Sequence, residues 1–267
     1  MSLTQATVAF PRKLTLLNWE TGKYLGGLDE HTAIGEQKYG GLLLSVARRS
    51  ANGVHVSGNY TFGKCEGHPS AGGTTPNVNS GYVNPNDIDY DYGACGTDRR
   101  HIVNVTAGFR TPDLGNAVLS AVASNWRVAG IYRVSSGSPI IVGVNTDPAG
   151  TGIGGQRAHL NGDPYGDRDS ITNYLNFASF SIPAPGEYGR QRRGDIYGPG
   201  TRNIDIAIVR LFRVATHQIE ARLESFNFLN WTRYGNPSTN INAPNMFGRI
   251  TNAADARIMQ FAVKYSF

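Results

Sequence analysis

The feature that most restricts the fold of this chain is a strict two-residue alternation of apolar and polar side chains, repeated in seven separate stretches. Successive side chains of an extended strand point to opposite faces, so such a stretch makes one greasy face and one wet face. From Val54 to Phe62, residues Val54, Val56, Gly58, Tyr60 and Phe62 share one face, and His55, Ser57, Asn59 and Thr61 share the other. Just before it, Leu42 to Arg49 puts Leu42, Leu44 and Val46 on one side. The link between these two stretches ends in Asn52-Gly53, a hairpin-turn pair.

Five more stretches read the same way. In His101 to Phe109, Val103, Val105, Ala107 and Phe109 oppose Asn104, Thr106 and Gly108. In Trp126 to Val134, Trp126, Val128, Tyr132 and Val134 oppose Arg127, Ala129, Ile131 and Arg133. In Asn203 to Phe212, Ile204, Ile206 and Ile208 oppose Asn203, Asp205 and Ala207. In His217 to Phe226, Ile219, Ala221 and Leu223 oppose Gln218, Glu220, Arg222 and Glu224. In Arg257 to Phe267, Met259, Phe261, Val263, Tyr265 and Phe267 oppose Gln260, Lys264 and Ser266. Lys13 to Asn18 is an eighth, weaker candidate. About ten residues is the length of a tilted membrane strand. Phe and Tyr near the ends of the apolar rows fit the aromatic girdles of a membrane barrel.

The links between stretches alternate in length. Short ones follow Arg49, Phe109 and Phe212, the second with a short helix expected at Asn116 to Ala123. Long ones run from Gly63 to Asp98, from Ser135 to Arg202 and from Asn227 to Ala256. Long links on one side and short turns on the other are the pattern of outer-membrane barrels, with the long loops extracellular. The expected fold is therefore all-β: an antiparallel transmembrane β-barrel portion of about eight strands, with long extracellular loops and short periplasmic turns. Its place is the cell outer membrane, with membrane lipid against the apolar rows and its C-terminus at the periplasmic end.

Composition agrees. Gly is 33 of 267 residues and charged residues are 17%, below the roughly 25% of soluble domains. The formal net charge of +5 is spread along the chain without a run of five like charges, so a nucleic-acid partner is not expected. No run of about 18 apolar residues forms a membrane helix, and the first residues carry no leader pattern.

Candidate sites are few. Cys65 and Cys95 lie in a loop-like stretch and suit a disulfide in an oxidising compartment, with two free thiols as the other reading. Asp87, Asp89 and Asp91 alternate as hard oxygen ligands in a calcium loop would, but Tyr92 stands where such a loop needs glycine. The bland alternative is a solvated acidic loop. Gly152-Ile153-Gly154-Gly155 lacks the Lys-Ser/Thr of a phosphate cradle. The scattered histidines, and the absence of a nucleophile elbow or a His-Glu-x-x-His helix, give catalysis no support, and no enzyme is expected. Arg127, Arg133, Asp205, Glu220, Arg222 and Glu224 occupy polar rows and read as lumen-facing charges. Asn230-Trp231-Thr232 matches a glycosylation sequon without consequence for a bacterial barrel. Tyr82, Tyr90, Tyr92, Tyr165, Tyr174 and Tyr188 are loop aromatics, suited either to ligand contact or to loop packing.

The last residues form their own pattern. Phe261, Val263, Tyr265 and Phe267 alternate up to a terminal aromatic, as in the C-terminal signal read by the outer-membrane barrel-assembly machinery. An exposed strand edge of this kind can pair by strand addition with a receptor's own edge.

Ordered short segments carry a family resemblance over roughly residues 39 to 267. They are Tyr39 to Arg49 (YGGLLLSVARR), Asn59 to Phe62 (NYTF), Asp98 to Asn104 (DRRHIVN), Trp126 to Ile131 (WRVAGI), Ser136 to Pro139 (SGSP) and Gly155 to Arg157 (GQR). The set continues with Gly198 to Gly200 (GPG), Glu224 to Asn230 (ESFNFLN), Phe247 to Thr251 (FGRIT) and Lys264 to Phe267 (KYSF). In these the chain resembles the C-terminal barrel region of TonB-dependent receptors of the Oar-like group, whose full-length members begin with a carboxypeptidase-regulatory-like domain. The resemblance implies energised uptake of an unknown ligand bound at the extracellular loops, through a TonB system that engages an N-terminal plug. It also implies a barrel of about 22 strands. A signal peptide, TonB box and plug have no counterpart in this chain. It therefore reads as a portion: residues 1–38 an N-terminal strand or loop remnant, residues 39–267 the barrel region. Two rivals remain open. One is a complete eight-stranded outer-membrane barrel with a structural or adhesin role. The other is a secreted, soluble β-sandwich that binds carbohydrate.

Overall fold

A computed structural model of the chain describes residues 16–22, 24, 35–50, 52–69, 82–84, 86–112, 115, 122–214 and 216–267. The alternating stretches are strands, as their period requires. In chain order they are β1 (Gln37–Arg49), β2 (Val54–Gly67), the two-residue β3 (Gly93–Ala94), β4 (His101–Arg110) and β5 (Trp126–Ser135). Four further two-residue strands follow: β6 (Pro139–Ile140), β7 (His159–Leu160), β8 (Phe180–Ser181) and β9 (Ile196–Tyr197). The last three are β10 (Thr201–Val214), β11 (His217–Phe226) and β12 (Ile258–Ser266). The long strands form one antiparallel meander in the order β1-β2-β4-β5-β10-β11-β12, and β3 adds to β2 as the eighth strand of the sheet. The eighth strand expected over Lys13 to Asn18 is not where the sequence put it. Leu16 and Leu17 are helical, and residues 13–15 lie outside the described residues. With apolar neighbours at consecutive positions rather than alternate ones, this stretch has little to hold it on a two-faced sheet.

Register carries the wet face across all seven long strands. Ser45 pairs with Asn59, Asn59 with Asn104, Asn104 with Arg133, Arg133 with Asn203, Ala207 with Glu224, and Glu224 with Gln260. A slip of one residue anywhere would bring the apolar row to the wrong side. The other face is mainly apolar, interrupted by Ser225 and by Arg48, His101, Arg202 and Arg210 towards the strand ends, and among the described residues no second sheet packs on it. Val54, Val56, Phe109, Val128, Phe212 and Ile219 on that face are all exposed. A soluble sandwich would bury this row, whereas a membrane strand leaves it to lipid. Aromatic side chains mark both edges of the band: Tyr60, Phe62 and Tyr132 towards the long loops, and Phe109, Trp126, Phe212 and Tyr265 towards the short turns. Arginines join the rings there. Arg210 lies 4.8 Å from the Trp126 ring and 4.5 Å from that of Phe212, and Arg202 lies 4.5 Å from that of Trp231.

The β1–β2 link turns on Gly53, whose positive φ of 78° and proximity to the Arg110 carbonyl (2.5 Å from an added Cβ) both demand glycine. Only Val122 and Ala123 of the short helix expected at Asn116 to Ala123 are described, and both are helical.

The sheet is open. β1 and β12 are its edges and are exposed along their whole length. Both run from the long-loop end to the short-turn end, because the meander holds an odd number of long strands.

The packed core is in the loops. Ile140, Val142, Val144, Ala158, Tyr174, Leu175, Phe180, Ile196, Ile241 and Phe247 form one buried cluster, and all belong to the links after β5 and β11. Two small sheets, β6-β9 and β7-β8, and a parallel bridge from Gly143 to Asn240 tie these links together. The link after β2 joins them through Tyr90, whose hydroxyl donates to the Gly189 carbonyl at 2.6 Å. The three long links thus make a single cap on one end of the strands.

Candidate functional site

The cap is held by polar groups as firmly as by its apolar cluster. Asp91 and Arg157 form a buried ion pair at 2.9 Å, each side chain 2% exposed. Asp91 also accepts from the Val83 amide at 2.7 Å, while Arg157 donates to the Tyr90 carbonyl at 2.8 Å and stacks 3.9 Å over the Tyr90 ring. Burial pushes the Tyr90 phenol up, and the Arg157 charge beside it pulls the other way. Burial, with Arg157 next to it, holds the Arg193 guanidinium below its usual value. Gln191, fully buried, receives the Val142 amide at 2.8 Å and donates to the Ile140 carbonyl at 3.3 Å.

Cys65 and Cys95 are joined by a disulfide that ties the end of β2 to the segment after β3. Beside it the Cys95 amide donates to the Cys65 carbonyl at 3.0 Å, and Asp98 accepts from the Cys65 amide at 2.8 Å. Asp87, Asp89 and Asp91 go three ways. Asp87 caps the short helical turn Ile88–Asp91, exposed Asp89 faces the His68 ring at 3.2 Å, and Asp91 is taken by Arg157. Among the described residues no group of three metal-ligating side chains comes together, so the calcium expectation has no cluster to stand on. In the Gly152 to Gly155 loop, the amides of Thr151 and Gly152 donate to the Asp147 carboxylate at 3.1 and 2.5 Å. Of the loop amides that a phosphate would need, those of Gly152 and Ile153 are already occupied, the second by the Thr151 hydroxyl at 3.2 Å.

The charges of the polar rows meet across strands. Arg133 pairs with Asp205. Arg127 reaches Glu220 at 3.2 Å, and Arg222 lies between Glu220 at 3.2 Å and Glu224 at 3.3 Å. All are on the face opposite the hydrocarbon band. At the short-turn end of that face a cleft is lined by Arg110, Arg127 and Arg213. Phe261, Val263, Tyr265 and Phe267 lie in one exposed row on or beside the β12 edge.

The most ligand-like feature is a cavity of about 550 Å³ where the cap meets the ends of β4, β5 and β10. Its lining is Arg100, Ser136, Gly137, Tyr165, Arg168, Tyr174, Tyr197, Gly198, Pro199 and Gly200. Three segments distant in sequence converge here: Asp98-Arg99-Arg100, Ser136-Gly137-Ser138 and Gly198-Pro199-Gly200. The approach of Gly137 to the Gly198 carbonyl leaves no room for a Cβ, so two backbones form that wall. Tyr165 and Tyr174 stand edge to face at 5.9 Å. The Tyr165 hydroxyl accepts from the Tyr197 amide at 2.9 Å, and the Tyr174 hydroxyl donates to the Tyr197 carbonyl at 3.1 Å. Tyr197 in turn donates to Asp98 at 3.3 Å. Burial raises the Tyr174 phenol, offset by the nearby Arg168. Arg168 stacks 4.0 Å over the Tyr165 ring.

Tyr165 and Tyr174 were legible as candidate contacts in the sequence; Arg100, Arg168 and Tyr197 were not. The only sequence sign of their association is that Arg100 and Tyr197 lie in or beside segments of the ordered set. Tyr82, Tyr90, Tyr92 and Tyr188 belong instead to the packing around His68 and Arg157.

A family profile described as outer membrane beta barrel domain matches residues 3–260. No curated protein and no solved structure matches the chain.

Proposed function

We propose, on the premise that this chain belongs to the outer membrane beta barrel family, that it is the C-terminal barrel part of a TonB-dependent receptor for energised uptake. It is an outer-membrane protein with an antiparallel β-sheet fold. The observation that carries the receptor reading is the cap. The links after β5 and β11 share one apolar cluster, a buried ion pair and the Tyr90 hydroxyl tie the link after β2 to the link after β5, and the links after β2 and β5 line an open aromatic and basic cavity above the strands. A barrel that merely anchors a cell-surface structure has no use for a rigid, concave mouth, whereas a receptor does. The resemblance of the ordered segments to the Oar-like group supplies the TonB coupling. In this reading the plug and the remaining strands come from the rest of the receptor, assembly uses the β12 edge and its aromatic row, and the chain performs no catalysis.

The test is a comparison of solutes taken from the medium by wild-type cells and by cells lacking the gene, each with and without a protonophore. A solute removed only by wild-type cells with an intact proton gradient is the expected result. Removal that survives the protonophore would show passive passage, and energised uptake would have to be given up.

A further inference from the structure

The geometry points to the cavity between Arg100, Arg168 and the tyrosines 165, 174 and 197 as a binding site for a carboxylate-bearing saccharide, an inference that rests on the cap being a receptor mouth. The floor is aromatic and fixed. Both the Tyr165 and the Tyr174 hydroxyl are bonded to the Tyr197 backbone, so neither ring can turn without breaking a bond. Rigid aromatic faces with a polar rim suit the alternation of C–H and hydroxyl surface on a sugar ring.

Two guanidinium groups flank that floor. Arg168 lies flat on the Tyr165 ring at 4.0 Å with its guanidinium beside the Tyr174 hydroxyl, and stacking of this kind leaves N–H groups along its planar edge to meet a carboxylate. It forms no ion pair among the described residues. Of the three acids near it in sequence, two accept backbone amides. Asp163 accepts from the Tyr165 amide and Asp167 from the Asp169 amide, each at 3.0 Å; Asp169 carries no such bond, and its charge opposes an anion. Arg100 is 3.9 Å from Asp98, too far for a hydrogen bond. The Asp98 carboxylate already takes the Cys65 amide at 2.8 Å and the Tyr197 hydroxyl at 3.3 Å. The result is a site with two under-used cations, no free carboxylate facing them from Asp98, and a stacking surface between. A volume of about 550 Å³ is within the range of small-ligand sites. The open glycine wall offers backbone polar groups rather than the deep apolar pocket that an aromatic or fatty acid would require.

The experiment uses the full chain refolded in detergent and isothermal titration with trigalacturonate, its methyl ester and triglutamate. Trigalacturonate is expected to bind, its ester to bind at least tenfold more weakly, and triglutamate not to bind measurably. Arg168→Gln and Arg100→Gln should each weaken trigalacturonate at least tenfold. Arg249→Gln, elsewhere on the cap, should not, with near-ultraviolet circular dichroism showing that the cap of every variant is folded. Equal affinity for the ester, full affinity in the Arg168→Gln variant, equal or tighter binding of triglutamate, or no trigalacturonate binding by the folded chain would each overturn the assignment. The receptor reading fails separately. Binding in detergent without energised uptake by cells removes transport and leaves the site. Energised uptake of another solute without trigalacturonate binding removes the site alone.

Discussion

At the residue scale the cap depends on groups whose individual identities are fixed by burial. Asp91 is the clearest. Its carboxylate is the counter-charge for a guanidinium with almost no contact with water. Removing one partner of a buried pair costs about 3–5 kcal/mol, because the other charge is left uncompensated. Asp91→Asn is therefore expected to loosen the cap by that order while the strands persist. Hydrogen exchange in detergent should show rapid exchange at residues 140–196 and unchanged protection in β10 and β11; uniform protection would mean that the pair is dispensable. The tyrosines give a pH dependence. Burial raises the Tyr90 and Tyr174 phenols above the ordinary value of about 10. The unfolded cap ionises first, so the stability these phenols lend is intact below pH ~10 and is lost as pH climbs through their raised folded values. Titrating phenolate absorbance should show a late phase coincident with loss of near-ultraviolet circular dichroism. A single phase near 10 with the cap intact would contradict the burial.

At the element scale the two faces of each strand obey different solvents. Ile206 and Ala207 are neighbours on β10, one in the hydrocarbon band and one in the wet row between Asp205 and Val209. A charge on a lipid face costs about 2–4 kcal/mol near the midplane, and much less on the lumen side. Ile206→Asp should sharply reduce the heat-modifiable, outer-membrane-inserted fraction, and Ala207→Asp should leave it near wild type. Equal tolerance at both positions would mean that the faces have been assigned wrongly. The wet rows are more than solvated surface, since Arg127, Glu220, Arg222 and Glu224 bridge strands β5 and β11 across β10. Each such exposed pair contributes only about 0–1 kcal/mol, so the ladder serves field and register more than stability.

At the scale of the whole molecule the open edges decide what can close the sheet. β1 and β12 run in the same direction. Closing one on the other would make a parallel seam, as would joining β12 to β1 of a second copy in the same membrane orientation. A wall antiparallel throughout, as in bacterial barrels with even strand numbers, therefore needs an odd number of further strands between them. Cysteines at Leu44 and Val263 should not cross-link under oxidant in the assembled membrane barrel. The register pair Ala221 and Val263 should cross-link. A Leu44–Val263 bond would establish direct closure and remove the need for other strands. Among the described residues the eighth strand of the sheet is the two-residue β3, too short to span a membrane, so the described strands alone do not make a complete eight-stranded barrel.

The sequence by itself determined the strands, their two faces and the alternation of long and short links. Side-chain period is a local property, and solvent on either side of a sheet acts on each residue separately. Seven stretches read from that period overlie the seven long strands; β1 and β2 run five residues further where backbone pairing outlasts the apolar pattern, β11 matches its stretch, and β12 is one residue shorter at each end. Only the tertiary structure decided the cap. Nothing in the spacing of Asp91 and Arg157, or of Arg100, Arg168 and Tyr197, announces that they meet, because loops carry no period and their contacts join residues some 30 to 100 positions apart. The acidic triplet made the point in reverse. Alternate carboxylates looked like ligands together, until burial of one beside an arginine, and a helical turn at another, sent them apart.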